Sequence, residues 1–202
     1  MTYKIVKKNN FFEEFFKNSI DSINALNKRD IQSIVDALYE IRKKGGRVFF
    51  VGVGGSAGNC SHAVNDFRKL CNIESYCVID NASELTARIN DEGWDTSYSE
   101  WLKASNINKK DAIFVFSVGG GNLKKKVSVN IVNAVKYAKK CKTKVLGIVS
   151  RDGGYTKKFG DNVVVIPVNK GDLVTPISEA LQALIWHYLI STDKLKKNKT
   201  KW

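Results

Sequence analysis

The chain contains two histidines, His62 and His187, and each stands at helical spacing from a carboxylate. His62 and Asp66 are four residues apart, so on a helix both project from one face. Such a pair can share a metal ion or set an acid beside a base. It also occurs as a plain surface pairing or cap. Glu179 precedes His187 by eight residues, a little over two helical turns, which sets them about 80° apart around the axis. Ser178 and Gln182 lie beside them. The alternative for His187 is a satisfied, partly buried core histidine.

Two glycine loops form a second constellation. Val53-Gly54-Gly55-Ser56 follows one apolar run, and Ser117-Val118-Gly119-Gly120-Gly121-Asn122 follows another. Glycines let a backbone approach an anion closely, and a helix start presents free N–H groups with a positive dipole end. Tight turns with no ligand would use the same residues. The third glycine of Gly52-x-Gly54-x-x-x-Gly58 is misspaced for a dinucleotide fingerprint, and no Gly-Lys-Ser/Thr makes a phosphate loop of the nucleotide-triphosphatase kind.

These residues need elements to carry them. Residues 10–44 show apolar spacings of three to five with a break near 27–30, which predicts two helices stopped by Gly45-Gly46. Apolar runs at 47–51, 76–79, 112–116, 144–149 and 163–167 read as strands buried on both faces. Helical patterns fall at 57–70, 82–90, 126–140 and 175–191. Alternation of this kind predicts an α/β fold: a five-stranded parallel sheet flanked by helices on both faces, with residues 10–44 as an N-terminal helical arm. Ligands in such folds sit beyond the carboxyl ends of the strands. Residues 1–192 read as one domain and 193–202 as a basic tail, solvated and frayed.

Composition narrows the function. At 202 residues, 43% hydrophobic and with two prolines, the chain has the length for one α/β domain and no Pro-rich linker. No apolar run reaches the ~18 residues of a membrane span. The N-terminus turns polar at once, so a cytoplasmic location is expected. Cys60, Cys71, Cys77 and Cys141 have no C-x-x-C spacing, which predicts reduced thiols. The net charge of +13 reads first as a lysine-rich bias. It also suits a small anionic substrate. No basic stripe interleaved with aromatics calls for a nucleic-acid partner.

Taken in order, these motifs resemble the phosphoheptose isomerase branch of the SIS (sugar isomerase) domain family. They are Gly-x-Gly-Gly-Ser56, His62-x-x-x-Asp66, Asn90-Asp91, the Ser117 loop, Arg151-Asp152-Gly153-Gly154 and Thr175-Pro176-x-x-Glu179 through His187. The resemblance spans residues 20–192. It implies a cytoplasmic homotetramer, often zinc-containing, with active sites between subunits. The implied reaction converts sedoheptulose 7-phosphate to glycero-manno-heptose 7-phosphate. Carried over residue by residue, Asp66 falls on the catalytic glutamate and His187 on the catalytic histidine. His62, Asp66, Glu179 and His187 form the implied metal set. Val53, Gly54, Gly55, Ser56, Asn90, Asp91, Ser117, Val118, Gly119, Gly120, Gly121, Asn122 and Glu179 form the implied substrate site. Glu179 stands where the family usually has glutamine, Val53 where it has asparagine, and the second loop has lost most of its hydroxyls to glycine. A non-catalytic phosphosugar-binding module with a regulatory role would keep the same loops.

Overall fold

The computed structural model describes residues 10–200; the polar N-terminal stretch and Lys201 lie outside them. Five strands form one parallel sheet in the order β2-β1-β3-β4-β5. They are β1 Val48–Gly52, β2 Ser75–Cys77, β3 Ala112–Ser117, β4 Lys144–Ser150 and β5 Asn162–Ile166. Every residue of β1 and β3 is buried, as unbroken apolar runs require when helices cover both faces. The register sets Phe50 opposite Phe114 and Gly52 opposite Phe116.

Among the described residues, eight α-helices surround the sheet: α1 Phe11–Asn24, α2 Lys28–Lys43, α3 Gly55–Cys71, α4 Ala82–Glu92, α5 Ser97–Ala104, α6 Val129–Lys140, α7 Gly154–Phe159 and α8 Val174–Ser191. The pleat divides the core. Val48, Phe50, Phe114 and Phe116 pack with α2, α3 and α8 on one face. Phe49, Val51, Ile113 and Val115 pack with α5 and α6 on the other. The side-chain period of two makes this division obligatory.

The two N-terminal helices have different fates. Ile34, Leu38 and Ile41 follow helical spacing and are buried, so α2 is a layer of the core. Its start is capped by the Asn27 side chain, which accepts from the Arg29 and Asp30 amides. Gly45 ends it at φ +63°, a conformation glycine adopts without a Cβ penalty. Helix α1 lies outside, with Phe12 67% and Phe16 50% exposed.

Helices α5 and α7 escape the sequence reading because they are short and depend on tertiary bonds. Tyr98 of α5 donates its hydroxyl to Gly52 O at 2.6 Å. In α7, Thr156 donates both its amide and its hydroxyl to Gly120 O. The basic tail is docked rather than frayed as far as Thr200. Leu195 is fully buried, and the Arg42 guanidinium donates to the carbonyls of Cys71, Lys194 and Leu195. The Lys197 and Asn198 amides donate to Leu70 O. One buried leucine and a run of carbonyl acceptors outweigh the lysine-rich sequence there. No helix among the described residues is long and apolar enough to cross a membrane.

Candidate active site

The strand order reverses between β1 and β3, so their outgoing loops part toward opposite faces and open a crevice at the carboxyl edge of the sheet. A cavity of about 600 Å³ fills it. The β1 loop contributes Val53 and Ser56, and the β3 loop contributes Ser117, Val118, Gly119, Gly121 and Asn122. The sequence reading named all of these. It missed six residues that also line the cavity: Lys125, Val127 and Ser128 before α6, Arg151 and Asp152 after β4, and Thr175 at the start of α8. Arg151 and Thr175 stand inside motifs already quoted, directly after a strand and at a helix start; that position was the available signal. Val127 and Ser128 fall in a stretch read as helix, and Lys125 stands just before it in no assigned element, so nothing exposed them.

Local geometry separates the glycines by task. Gly120 has φ +66°, and a Cβ there would lie 2.0 Å from Gly153 O. A Cβ on Gly154 would lie 2.2 Å from Gly119 O. The β3 loop and the turn after β4 therefore interlock backbone to backbone, and the Tyr155 amide donates to Gly121 O at 2.8 Å. Gly120 does not line the cavity; it is there for packing. Gly119 lines it, and a Cβ there meets nothing within 4 Å. Gly54 begins α3 at φ +64°. Gly55 is pressed against Glu179, whose carboxylate would lie 2.3 Å from a Cβ at that position.

Helices α3 and α8 run parallel and carry the ionisable residues. At the cavity end, the Glu179 carboxylate accepts from the Ser56 amide at 3.1 Å and faces its hydroxyl at 3.4 Å. Asn59 ties the pair together by donating to Glu179 O and Gln182 Oε1. Further along, Asp66 Oδ2 lies 3.9 Å from the Nε2 atoms of both His62 and His187. The Asp66 side chain is 5% exposed, while those of His62 and His187 are 60% and 50% exposed. The other Asp66 oxygen accepts from Asn65 Nδ2 at 2.9 Å. The His187 ring stacks on Trp186, and His62 meets the same indole edge-on.

His62, Asp66 and His187 offer ligand atoms within 4.8 Å of one another. His187 Nδ1 sits 2.7 Å from Ala183 O and must donate its proton there, which leaves the Nε2 lone pair facing Asp66. Two imidazoles and a carboxylate, one ring already fixed in its tautomer, fit a three-ligand divalent metal site with an open position. Glu179 stays with Ser56 and outside this trio. Asn90 and Asp91 lie exposed in the last turn of α4, with Asn90 donating to Asp91, and they do not line the cavity.

Residues 11–150 match the SIS domain family. Lincomycin biosynthesis protein LmbN of Streptomyces lincolnensis is 32% identical over 162 residues, 75% of this chain; the match spans 57% of that relative's length. Phosphoheptose isomerase of Helicobacter pylori (strain P12) is 25% identical over 182 residues, covering 88% of this chain and 87% of the relative. Among solved structures, a phosphoheptose isomerase from Francisella tularensis superposes with a TM-score of 0.75 at 20% identity, covering 94% of this chain and 97% of that one. Phosphoheptose isomerase GmhA from Neisseria gonorrhoeae gives the same score and identity over 89% and 92%. At such identities the two structures speak for the fold.

Proposed function

We propose that this chain, which belongs to the SIS-domain family, is a phosphosugar isomerase that interconverts sedoheptulose 7-phosphate and glycero-manno-heptose 7-phosphate. One observation carries the reading: a nearly buried carboxylate, Asp66, set 3.9 Å from two imidazole Nε2 atoms on the helix that begins at the cavity. Aldose–ketose isomerisation needs a base to take a proton from the carbon beside the carbonyl, giving an enediol, and a group to move a proton between the two oxygens. In this reading Asp66 takes and returns the carbon-bound proton. His187, through its Nε2 lone pair, relays the oxygen-bound one. Were zinc held by His62, Asp66 and His187, it would polarise the carbonyl in place of that relay, because the His187 Nε2 lone pair would then be its ligand.

The active unit in this reading is a homotetramer. Its support is the apolar surface of α1, where Phe11, Phe12, Phe16, Ile20 and Ile23 are all exposed. Beside it lies a cavity of about 780 Å³ that reaches Leu184 and Tyr188 on α8. Contiguous exposed apolar surface of this kind marks an interaction site. The same reading puts the protein in the cytoplasm, in keeping with free thiols at all four cysteines.

The test is to incubate the protein with sedoheptulose 7-phosphate in deuterated water and follow the sugar by NMR. The expected result is the heptose product with deuterium on the carbon next to the carbonyl. Binding without exchange would replace the enzyme by a regulatory phosphosugar-binding module.

A further inference from the structure

We infer that Arg151 and Lys125 supply the charge that grips the substrate's phosphate, so that the phosphate lies on the β3–β4 side of the cavity and away from Ser56. The inference rests on the isomerase reading for the identity of the sugar alone; the anion site can be tested with no sugar present.

Four charged side chains line the cavity: Lys125, Arg151, Asp152 and Glu179. The two anions are already engaged. Glu179 accepts from Ser56 and fills the start of α3. Asp152 accepts from the Gly154 amide at 3.0 Å and closes its own turn. The two cations make no hydrogen bond or ion pair with any described residue. A second anion at Ser56 would meet the Glu179 carboxylate, and like charges at that range repel. The opposite wall carries two unpaired cations and the Ser117 hydroxyl. Ser117 Oγ accepts from the Gly120 amide at 3.1 Å, which leaves its proton free to donate. Ser128 begins α6 with no side-chain cap bond, so its hydroxyl is not spent on the helix.

Backbone conformation points to the same wall. Among the described residues, six that are not glycine have positive φ. Asn72, Asn106 and Lys142 follow the ends of α3, α5 and α6, where left-handed residues commonly terminate helices. The other three, Lys126 at +51°, Ser128 at +48° and Arg151 at +55°, end no helix. Two of them line this cavity and the third is the neighbour of Lys125. Strain of this kind collects at ligand sites. It also accounts for the glycine-rich β3 loop: where hydroxyls are missing, an arginine and a lysine from adjacent elements can hold a dianion by charge-assisted hydrogen bonds.

The experiment titrates inorganic phosphate by calorimetry into the wild type, Arg151→Gln, Lys125→Gln, the double variant and Lys124→Gln, a neighbouring lysine that does not line the cavity. Each of the first two substitutions is expected to weaken binding about tenfold or more, the effect of one lost charge-assisted hydrogen bond. Lys124→Gln should stay within about twofold. In turnover of sedoheptulose 7-phosphate, KM should rise with kcat held within a few-fold. Absence of phosphate binding by the wild type, wild-type affinity in the double variant, or an equal loss in Lys124→Gln would each overturn the assignment. Should Arg151→Gln fail to fold, Lys125→Gln on its exposed segment decides alone. A wild type that binds phosphate but turns over no sugar sinks the isomerase reading and leaves the anion site standing. Normal turnover with unchanged KM in the double variant does the reverse.

Discussion

Adjacent glycines in the β3 loop should respond oppositely to the same methyl group. In Gly120→Ala the new Cβ would be built 2.0 Å from Gly153 O and 2.6 Å from its carbon, in a backbone held at φ +66°. The left-handed conformation costs an L residue about 1–2 kcal/mol. Forcing two backbones apart adds about 1–3 kcal/mol. The sum, about 2–5 kcal/mol, corresponds to a fall in Tm of roughly 4–20 °C for a domain of this size. In Gly119→Ala the Cβ meets nothing within 4 Å, and φ is outside the left-handed region. Removing glycine's unfolded-state freedom there stabilises by about 0.4–1 kcal/mol, while the methyl group enters the cavity wall. Differential scanning fluorimetry reads the stabilities and phosphate titration reads the site. Gly119→Ala should melt at or above the wild type and bind phosphate more weakly. The packing argument is refuted if Gly120→Ala melts with the wild type, or if Gly119→Ala is the less stable of the pair.

Asp66→Asn should lower kcat by a factor of ~10² to 10⁴, the usual effect of losing a general base, and keep substrate affinity within about tenfold by calorimetry. His62→Ala and His187→Ala should each reduce zinc stoichiometry measured by atomic absorption on the equilibrated protein. Phe12→Asp with Phe16→Asp should shift the mass from light scattering toward the monomer without lowering the melting temperature of the subunit. Asp111 is buried and accepts from the Arg47 amide and guanidinium and from Asn108. Asp111→Ala leaves the Arg47 and Asn108 amides without their acceptor and should cost about 1–3 kcal/mol in urea unfolding. Burial pushes the Cys71 thiol up from near 9 to about 11, so its contribution to stability is present below pH 9 and lost as pH rises toward 11. Cys71→Ala should show a smaller loss of urea midpoint across that interval.

Strands β1, β3, β4 and β5 were legible because each is built on an apolar run between turn residues, whereas β2, three residues with Tyr76 exposed, begins one residue before the run that announced it. Helix α3 was legible because a glycine loop must start something. The limits appear where a residue's task depends on a distant partner. Gly119 and Gly120 look alike in sequence; only the approach of Gly153 tells them apart. The family resemblance implies a metal-ligand role for Glu179. The structure gives its carboxylate to the Ser56 amide, because α3 starts beside it with unsatisfied N–H groups. The docked tail depends on Arg42, about 150 residues away, and no local pattern announces it. His62, Asp66 and His187 were found because i, i+4 spacing holds wherever a helix forms, and because the chain has no other histidine to choose.

The parallel packing of α3 on α8 explains how grip and chemistry can diverge within one fold. Both helices begin at the cavity, and both carry the ionisable trio further along the same direction. Their mutual spacing is fixed by matched contacts: Ser56 and Asn59 on Glu179, Asn59 on Gln182, His62 on Trp186, and Asp66 on His187. The distance from the crevice to Asp66 is thus set by helical rise. The far wall of the crevice comes from other elements, the β3 loop, the segment before α6 and the end of β4. Hydroxyls can be exchanged there for glycines and cations without displacing Asp66 or either histidine. The departures from the family pattern fall on the β3 loop, at Val53 and Glu179 beside the start of α3, and at Asp66, an aspartate for a glutamate in the same helical register.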